Sequence, residues 1–309
     1  MIYHFRLPIS SSGLTFLLGL MFVMVTPSLA QNENQENQET KYTENIFIST
    51  KLLNSQTTNV LSSGGWQLMI EHRFGIIGTD STVYHQFLGL DLPANIRLGA
   101  AFPISDRWYW GFGRTKVDKT IDLESKYLIL RQTQDNRTPI SVAGYVNVML
   151  RTDPFPEEPP NAFFADSLTA FEYKFSHKLS YNTQLIISRK FGERLSLQVA
   201  PVLIYENLVK IGRENYTIAV PVSGRYRMGL LNTSVIFEYA PVLNNTPEDF
   251  LNPISVGVEF GTAGHVFQLI VSSSNYILEK NLYTRPSGDY TDGEFSLGFN
   301  IKRTFWSKK

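Results

Sequence analysis

Several features that define common protein classes are missing from this 309-residue chain. It has no cysteine, which excludes disulfide bonds, thiolate metal sites and a lipid anchor on an N-terminal cysteine. Its 28 basic and 28 acidic residues balance, so no net field attracts nucleic acid or an anionic surface. No apolar run reaches the about 20 residues that a transmembrane helix requires. The sequence therefore excludes a disulfide-bonded domain and a helical membrane protein, and predicts no nucleic-acid partner.

The first 30 residues have the three parts of a secretory signal peptide. Arg6 supplies the basic start, LTFLLGLMFVMV at 14–25 the apolar core, and Ser-Leu-Ala at 28–30 the small-x-small cleavage pattern. We expect cleavage near Ala30, which leaves a polar leader, QNENQENQETKYTEN, whose composition favours disorder. The sequence allows two locations for residues 31–64: the segment extends into the periplasm, or it folds as a plug inside the domain that follows.

From Trp66 onward, apolar and polar residues alternate and no sustained helical period appears. This pattern predicts about twelve strands, most with about ten residues or more, a length that suits tilted strands crossing a membrane. The predicted strands span 66–74, 95–104, 108–116, 120–131, 139–150, 179–191, 194–206, 215–227, 230–241, 253–261, 265–273 and 293–305.

The connections between these strands alternate in length. The short ones are 105–107, 132–138, 192–194, 227–230 and 262–264, and the long ones are 75–94, 151–178, 207–214, 242–252 and 274–292, with 117–119 as a short exception among the long. An even strand count with short turns at one end describes an outer-membrane barrel, whose short turns and termini face the periplasm. We predict an all-β fold, a transmembrane antiparallel up-and-down β-barrel of about twelve strands over residues 65–309.

Aromatic residues at both ends of the apolar strand face support this fold. Lipid–water interfaces attract amphipathic rings, whereas the core of a soluble sandwich has no reason to sort aromatics to both strand ends. The predicted girdle on the periplasmic side is Trp66, Phe102, Trp108, Phe191, Tyr226, Phe260, Phe267 and Phe305, and on the opposite side Phe74, Phe112, Tyr181, Tyr205, Tyr239 and Phe295.

The opposite strand face carries the charged side chains. Each of them would cost several kcal/mol in hydrocarbon, so this face must turn toward the lumen, while residues such as Leu197 and Val199 meet lipid. The predicted lumen-lining residues are Glu71, Arg73, Arg97, Asp122, Glu124, Lys126, Lys190, Arg225, Glu238, Glu259 and Lys302.

Segments spread over the barrel carry a resemblance to a known family. IEHRFG (70–75), IRLGAAFPISDRWYWGFGR (96–114), LIISRKFGERLSLQVAP (185–201), GHVFQL (264–269) and GEFSLGFNIKRTF (293–305) resemble a Gram-negative membrane-bound outer-membrane β-barrel family of unknown function. The resemblance implies the barrel and its outer-membrane setting, and it supplies no catalytic residues. The last segment also resembles the C-terminal signal that barrel-assembly machinery recognises, although four residues follow Phe305.

Two properties of the predicted lumen bear on function. Its six basic and five acidic side chains suit ion pairing across strands rather than a selective ring of one sign. Inward glycines and alanines leave room, and a barrel of about twelve strands is intermediate between a filled interior and an open channel. A narrow water-filled path and a plugged, ion-paired interior both stay open. Such small inward residues are Gly99, Ala101, Gly111, Gly113, Ala143 and Gly257.

Catalysis has little support in the sequence. His265 and the serines at 272–274 lie about 23 Å apart along one strand at roughly 3.3 Å per residue, and His72 has no serine placed beside it. No spacing of His, Asp and Glu indicates a transition-metal site. We predict no catalytic residues, no metal and no cofactor.

Two other features have alternative readings. Pro201 and Pro221 fall inside neighbouring strands and predict a pair of β-bulges or, alternatively, a binding notch. The proline-rich connection 151–178 carries Phe163 and Phe164, which either pack on the rim or meet a partner.

The function that these observations favour is a passive channel for small polar solutes. The first alternative is a non-conducting structural or surface-binding barrel acting through its long loops, and the second is a secreted soluble β-sandwich. The predicted partners are outer-membrane lipid, the barrel-assembly machinery and a small polar solute, and the predicted location is the outer membrane of a Gram-negative bacterium.

Overall fold

A computed structural model describes residues 4–5, 40–79, 82–157, 163–164, 169–229 and 232–306. The cleavage position at Ala30, most of the predicted signal peptide and residues 31–39 lie outside the described residues. Among the helices that the structure describes, none is long and apolar enough to cross a membrane.

Strands make up most of the described chain. In chain order they are β1 (His4–Phe5), β2 (Lys51–Leu52), β3 (Ser55–Gln56), β4 (Gly65–Ile77), β5 (Asn95–Ser105), β6 (Trp108–Thr115), β7 (Ile121–Leu130), β8 (Ser141–Leu150), β9 (Phe163–Phe164), β10 (Leu179–Phe191), β11 (Leu195–Val199), β12 (Val202–Glu206), β13 (Tyr216–Ala219), β14 (Val222–Arg227), β15 (Thr233–Tyr239), β16 (Ile254–Thr262), β17 (His265–Ser272) and β18 (Phe295–Trp306). The connections contain the helices α1 (Thr82–His85) and α2 (Glu279–Thr284) and 3-10 turns at Phe87–Gly89, Val117–Lys119 and Phe175–Lys178.

The long strands form one closed antiparallel wall. Each pairs with its neighbour along the chain, and the sheet closes where β18 pairs with β4, from Phe295 opposite Ile77 to Trp306 opposite Gly65. β11 with β12 and β13 with β14 each form one wall strand interrupted at a proline, which gives twelve strands. The predicted antiparallel barrel of twelve strands is confirmed. Outside this wall, β1 pairs with β9 and β2 with β3.

The expected bulges at Pro201 and Pro221 are absent from the described ladder. β10 keeps one register on both sides of Pro201, with Ile187 opposite Val199 and Gln184 opposite Val202. A proline loses only its N–H, and its carbonyl still accepts a ladder bond. Four such carbonyls in neighbouring strands form a row: Pro201, Pro221, Pro241 and Pro253 accept from the backbone N–H groups of Leu185, Ala200, Val220 and Ala240.

Side chains alternate between the two faces of the wall. On β11 and β12, Leu203 is 42% exposed on the outer face, whereas Ser196 and Gln198 are buried. The same alternation runs through β6, β7 and β16. Aliphatic residues therefore form the outer band, and the polar residues face the interior, as strand geometry requires of a sheet with a period of two.

Two chain segments occupy the interior. Residues 46–58 and Leu61 are largely buried, with the hairpin β2–β3 at their centre. From the end with the long loops, the connection between β17 and β18 also enters, and Ile277, Leu278 and Tyr283 are buried. We call residues 46–61 the N-terminal filling, residues 273–288 the loop filling, and the two barrel ends the short-turn end and the long-loop end.

Candidate functional site: the filled lumen

The predicted lumen-lining charges lie on the inner face of the wall. Ten of the eleven are buried, with exposures from 0 to 6%: Glu71, Arg73, Arg97, Asp122, Glu124, Lys126, Arg225, Glu238, Glu259 and Lys302. The eleventh, Lys190, is only partly buried and lies near the short-turn end, where its Nζ donates to the backbone oxygen of Glu44. Because solvent reaches almost none of the ten, the middle of the barrel is filled.

Arg97 is the centre of the larger ion-pair cluster. Its guanidinium lies 2.9 Å from the Glu71 carboxylate, 2.5 Å from Asp122 and 3.3 Å from Glu124. Strand register produces this cluster, because Arg97 stands opposite Glu71 across β4–β5, and β7 presents both acids two residues apart. Tyr145 adds a hydroxyl that donates to Glu124 at 3.0 Å. The wall thus neutralises much of its own charge.

The inward glycines do not provide open space at this cluster. A Cβ atom on Gly113 would lie 2.6 Å from the Arg97 guanidinium, and one on Gly99 would lie 3.0 Å from it. Glycine at these positions lets the long Arg97 side chain lie flat on the wall. The expectation that small inward residues leave a path is therefore wrong at these two positions.

A second ion pair lies on the other side of the barrel. Arg225 Nε donates to Glu259 at 2.9 Å, and Gln268 Nε2 donates to the second oxygen of the same carboxylate at 2.8 Å. The residues lie on β14, β16 and β17, which the ladder holds close together with β15 between the first two. Glu238, one strand away, instead accepts from the backbone N–H groups of Asn54 and Ser55 at 3.2 and 2.8 Å.

Cations and amides of the wall hold the N-terminal filling by its backbone. Lys126 Nζ donates to the carbonyl of Thr50 at 2.6 Å, and Lys302 Nζ donates to that of Lys51 at 2.5 Å. Further donors to backbone carbonyls of the filling are Arg73 (Leu53, 3.3 Å), Asn300 (Leu53, 2.9 Å), Gln268 (Lys51, 3.2 Å) and Gln198 (Gln56, 2.7 Å). These contacts come from strands all round the barrel, so the filling is anchored across the whole lumen.

Lys51 is a functional residue that the sequence analysis missed. Its Nζ lies 2.8 Å from Glu71 and donates to the carbonyl of Ile277 at 3.1 Å, so it joins the wall and both fillings. A usable signal was present nearby, because the apolar residues Ile46, Phe47, Leu52 and Leu53 follow closely after the polar leader. They pack on Ile236 and Ile270 of the wall.

The loop filling packs against the wall near the row of prolines. Leu282 and Tyr283 of α2 form an apolar cluster with Val202, Ala219 and Ala240, each of which lies within two residues of one of the prolines in sequence. On its other side, Glu279 accepts from Gln184 Nε2 at 3.3 Å. Burial raises the pKa of Glu279, while the charge of Lys51 opposes that shift. The loop filling thus carries one carboxyl whose ionised form is disfavoured in place.

The predicted girdle residues all lie on the outer face. At the short-turn end, Trp66 stacks on Phe305 at 4.5 Å between ring centroids, and Phe260 stacks on Phe267 at 5.2 Å. The partly or fully exposed set comprises Trp66, Phe102, Trp108, Phe191, Tyr226, Phe260, Phe267, Phe305, Phe74, Phe112, Tyr181, Tyr205, Tyr239 and Phe295. Cross-strand stacking joins several of them into continuous aromatic surfaces.

Three of the described histidines, His72, His177 and His265, lie against aromatic rings. His72 stacks on Phe299 at 5.1 Å on the outer face, and His265 stacks on Phe267 at 5.8 Å. His177 lies in the 151–178 connection, where its Nδ1 accepts from the backbone of Lys174. Among the described residues, no group of three or more His, Asp or Glu is arranged to hold a metal ion.

The long-loop end carries a folded rim rather than an open ring of loops. In the 151–178 connection, Phe164 is buried against Phe171, while Phe163 is 39% exposed. Beside this rim a cavity of about 960 Å³ opens. A second cavity of about 660 Å³ lies at the short-turn end, between residues 43–45, 132–136 and 189–193.

Residues 47–305 match the family model described as a membrane-bound beta barrel domain, DUF5777. No curated protein matches the sequence.

Solved structures similar to the chain include the NanC porin, with 7% identity, a TM-score of 0.46 and coverage of 76% of this chain and 98% of the porin. An outer-membrane channel from Pseudomonas putida F1 has 12% identity and a TM-score of 0.40, with 80% and 98% covered. An active-site mutant of outer membrane phospholipase A from Escherichia coli has 8% identity and a TM-score of 0.39, with 88% and 94% covered.

Proposed function

Because the chain belongs to the membrane-bound β-barrel domain family, we propose that it is a channel for small polar solutes whose lumen is closed at rest by its own two fillings. Permeation then requires the N-terminal filling, the loop filling or both to move while the wall stays intact. We propose no catalytic role, cofactor or metal for the barrel.

The way the wall holds the N-terminal filling carries this proposal. The wall strands bond strongly to one another and the ion pair of Arg97 with Asp122 belongs wholly to the wall, so neither depends on the filling. The filling is a single segment that joins the wall at Gly65, held by hydrogen bonds such as those of Lys126 and Lys302 to backbone carbonyls. Water or a polar solute offers the same acceptors, so the filling can exchange with them. A barrel built only as a scaffold gains more from an apolar core.

We place this channel in the outer membrane of a Gram-negative bacterium. The signal-like residues 1–30, with cleavage near Ala30, support export, and the outward aliphatic band between two aromatic girdles suits a bilayer. The short-turn end then faces the periplasm and the long-loop end faces outward. Lipid and the barrel-assembly machinery are the partners that this location implies.

Planar-bilayer recording tests the channel proposal. Four chains are compared: the mature protein, a chain that begins at residue 62, a chain in which residues 275–286 are replaced by a short Gly-Ser linker, and a chain with both changes. We expect brief openings for the mature protein and a sustained conductance when both deletions are combined, because the polar wall is then free of both fillings. A folded double deletion that passes no ions would contradict the proposal.

A non-conducting barrel that binds a partner through its rim is the second candidate. The filled lumen favours it, and so do the exposed side chains of Phe163 and Phe175, at 39 and 67%. Replacing residues 151–178 by a short turn would abolish capture of a partner by this surface. The conductance of a channel should survive the same change, whereas a non-conducting barrel passes no ions before or after it.

A further inference from the structure

The cavity at the long-loop end lies apart from the contacts that hold the N-terminal filling. It has a volume of about 960 Å³ and lies between the 151–178 connection, the loops at 206–213 and 245–247, and α2. Its inner side reaches the buried Ser180, which belongs to the inward face of β10. A concave space of this size suits a small organic molecule.

Basic side chains predominate in the lining of this cavity. The described lining residues include six that are Lys or Arg and three that are acidic: Arg151, Lys178, Lys210, Arg213, Lys280 and Arg285 against Asp153, Glu157 and Glu206. The chain as a whole is neutral, so this excess is local. A concave wall of one sign concentrates ions of the opposite sign.

Within the part of the chain that the structure describes, two of these six cations have an acidic partner. Lys280 pairs with Glu206 at 3.2 Å, and Arg285 pairs with Asp118. These pairs fix α2 to the rim and do not require a ligand. The remaining basic residues of the lining are therefore the ones that decide which ligand the cavity accepts.

Lys178 and Arg213 are positioned by neutral oxygens. Lys178 Nζ donates to the backbone carbonyl of Asp153 at 2.8 Å and lies 4.5 Å from the centroid of Phe155. Arg213 donates to Asn245 Oδ1 at 2.9 Å and to the carbonyl of Thr284 at 3.4 Å. Burial lowers the pKa of Arg213, while the charge of Glu206 opposes that shift. A neutral oxygen orients a cation without neutralising it, so both charges act on the cavity.

Aromatic rings supply the apolar part of the same wall. Phe155 and Tyr173 stack at 4.4 Å with 17° between their planes, and Tyr276 lines the cavity from the loop filling. Amide and hydroxyl groups of Asn245 and Ser180 complete the lining. Fixed cations beside ring faces and hydrogen-bonding groups recognise a molecule with an anionic group, a flat apolar face and hydroxyls.

We infer that this cavity binds a small carboxylate-bearing polyol, such as a sugar acid, with its carboxylate at Lys178 and Arg213. Binding here goes beyond the proposed channel function, because it does not depend on whether the molecule then crosses the barrel. Arg213 suits a carboxylate in particular, since its planar guanidinium makes paired hydrogen bonds to two oxygens.

Calorimetric titration of the full mature protein in neutral detergent tests this inference, with glucuronate as the probe and glucose as its uncharged counterpart. We expect glucuronate to bind and glucose to bind at least about tenfold more weakly, because charge-assisted hydrogen bonds contribute most of the discrimination. Equal binding of the two sugars, or no binding of glucuronate, would overturn the inference. Conductance is not measured, so this result is independent of the channel experiment.

Variants locate the binding. Lys178→Gln with Arg213→Gln should weaken glucuronate binding at least about tenfold, while Glu157→Gln should strengthen it by removing a repelling charge. The matched control is Lys116→Gln, which removes a cation of the same end whose Nζ also donates to a backbone carbonyl, that of Ala94, outside the cavity lining. If the control weakens binding as much as the double variant, the site lies elsewhere. The gain expected for Glu157→Gln keeps the test valid should the double variant fold poorly, since an unchanged affinity there also contradicts the inference.

Discussion

The inner wall and the N-terminal filling use the same charged residue types in two different ways. Within the wall, cation meets acid, as where Arg97 contacts Asp122 and Arg225 contacts Glu259. Between wall and filling, cations meet neutral oxygens, as where Lys126 and Lys302 bind the carbonyls of Thr50 and Lys51 and Lys302 also binds the Ser49 hydroxyl. Charges that neutralise each other stay satisfied when a neighbour leaves, whereas a cation on a carbonyl can exchange that carbonyl for water. The comparison indicates a permanent wall around a replaceable filling.

Lys51 and Glu238 are the exceptions that join the two systems. Lys51 forms an ion pair with Glu71, and Glu238 accepts from two backbone N–H groups of the hairpin. Both contacts add charge-assisted bonds to the closed state. In the proposed channel they favour the closed state without making the wall depend on it.

The largest expected effect comes from breaking the wall cluster. Arg97→Leu leaves Glu71, Asp122 and Glu124 buried with much less compensating positive charge, and removing one partner of a buried ion pair costs about 3–5 kcal/mol. We expect this loss in the free energy of unfolding, measured by urea titration in detergent with tryptophan fluorescence.

The control for this change is Arg114→Leu. Arg114 is exposed and contacts Lys119 and Thr152 through oxygen acceptors only, so its loss should leave the unfolding midpoint nearly unchanged. Equal destabilisation by the two substitutions would show that the Arg97 cluster has no special part in the wall.

A smaller effect on stability, with a clear effect on gating, is expected from removing the wall cations that bind the N-terminal filling. Lys302→Met and Lys126→Met each remove hydrogen bonds from a charged donor, worth about 1.5–3 kcal/mol. The ratio of open to closed time in bilayer recordings should therefore rise about tenfold or more.

Lys190→Met is the matched control for the two gating variants. Lys190 also donates to a backbone carbonyl, that of Glu44, but it lies partly exposed near the short-turn end. We expect a smaller rise in open time, because water competes for this contact. Open times that rise equally in all three variants would mean that the depth of the contact does not matter.

The smallest effect concerns pH and the loop filling. Burial raises the pKa of Glu279, so the docked loop binds its proton more tightly than the undocked loop does. Docking is then strongest below the ordinary glutamate pKa of about 4.3 and weakens as the pH rises from there to the raised pKa. Open time should increase over that interval in bilayer recordings.

Glu279→Gln should flatten the response to pH and favour the closed state at neutral pH. Glu248→Gln changes an exposed glutamate of another long loop and should leave the response as it is. A response that persists in Glu279→Gln would assign the dependence to other groups.

Much of the barrel wall follows directly from the sequence. Strand alternation such as that of Leu203 against Gln198 fixes which face meets lipid, and the aromatic residues mark both ends of the strands. These signals are local and repeat in every strand, so they can be recognised without knowledge of the tertiary structure. Both the strand count and the direction of the charged face could be predicted for this reason.

The content of the lumen could not be predicted from the same signals. An inward Gly113 reads as free space until the long side chain of Arg97 is placed over it. The hairpin β2–β3 has only two residues in each strand, too few for a periodic pattern, and its bonds come from strands all round the wall. Pro201 reads as a bulge because its lost N–H is visible in the sequence, whereas the retained carbonyl bond is not.

The claim that the N-terminal filling closes the lumen is tested most directly by a disulfide bond, which is reversible, between this filling and the wall. Thr58 Oγ1 and Ser188 Oγ lie 2.5 Å apart, near the about 2.05 Å of a sulfur–sulfur bond, and the chain has no cysteine of its own. β10 is the fifth strand along from β4, so a link at Thr58 holds residues 58–64 across the lumen. The control is Ser255→Cys with Ser272→Cys, a pair 2.8 Å apart within the wall.

Both cysteine pairs are recorded in planar bilayers in the Lys302→Met background, before and after a reductant is added. The account predicts that oxidised Thr58→Cys/Ser188→Cys stays closed and opens on reduction, while the wall pair conducts equally in both states. Equal conductance of the oxidised and reduced Thr58→Cys/Ser188→Cys protein would contradict it.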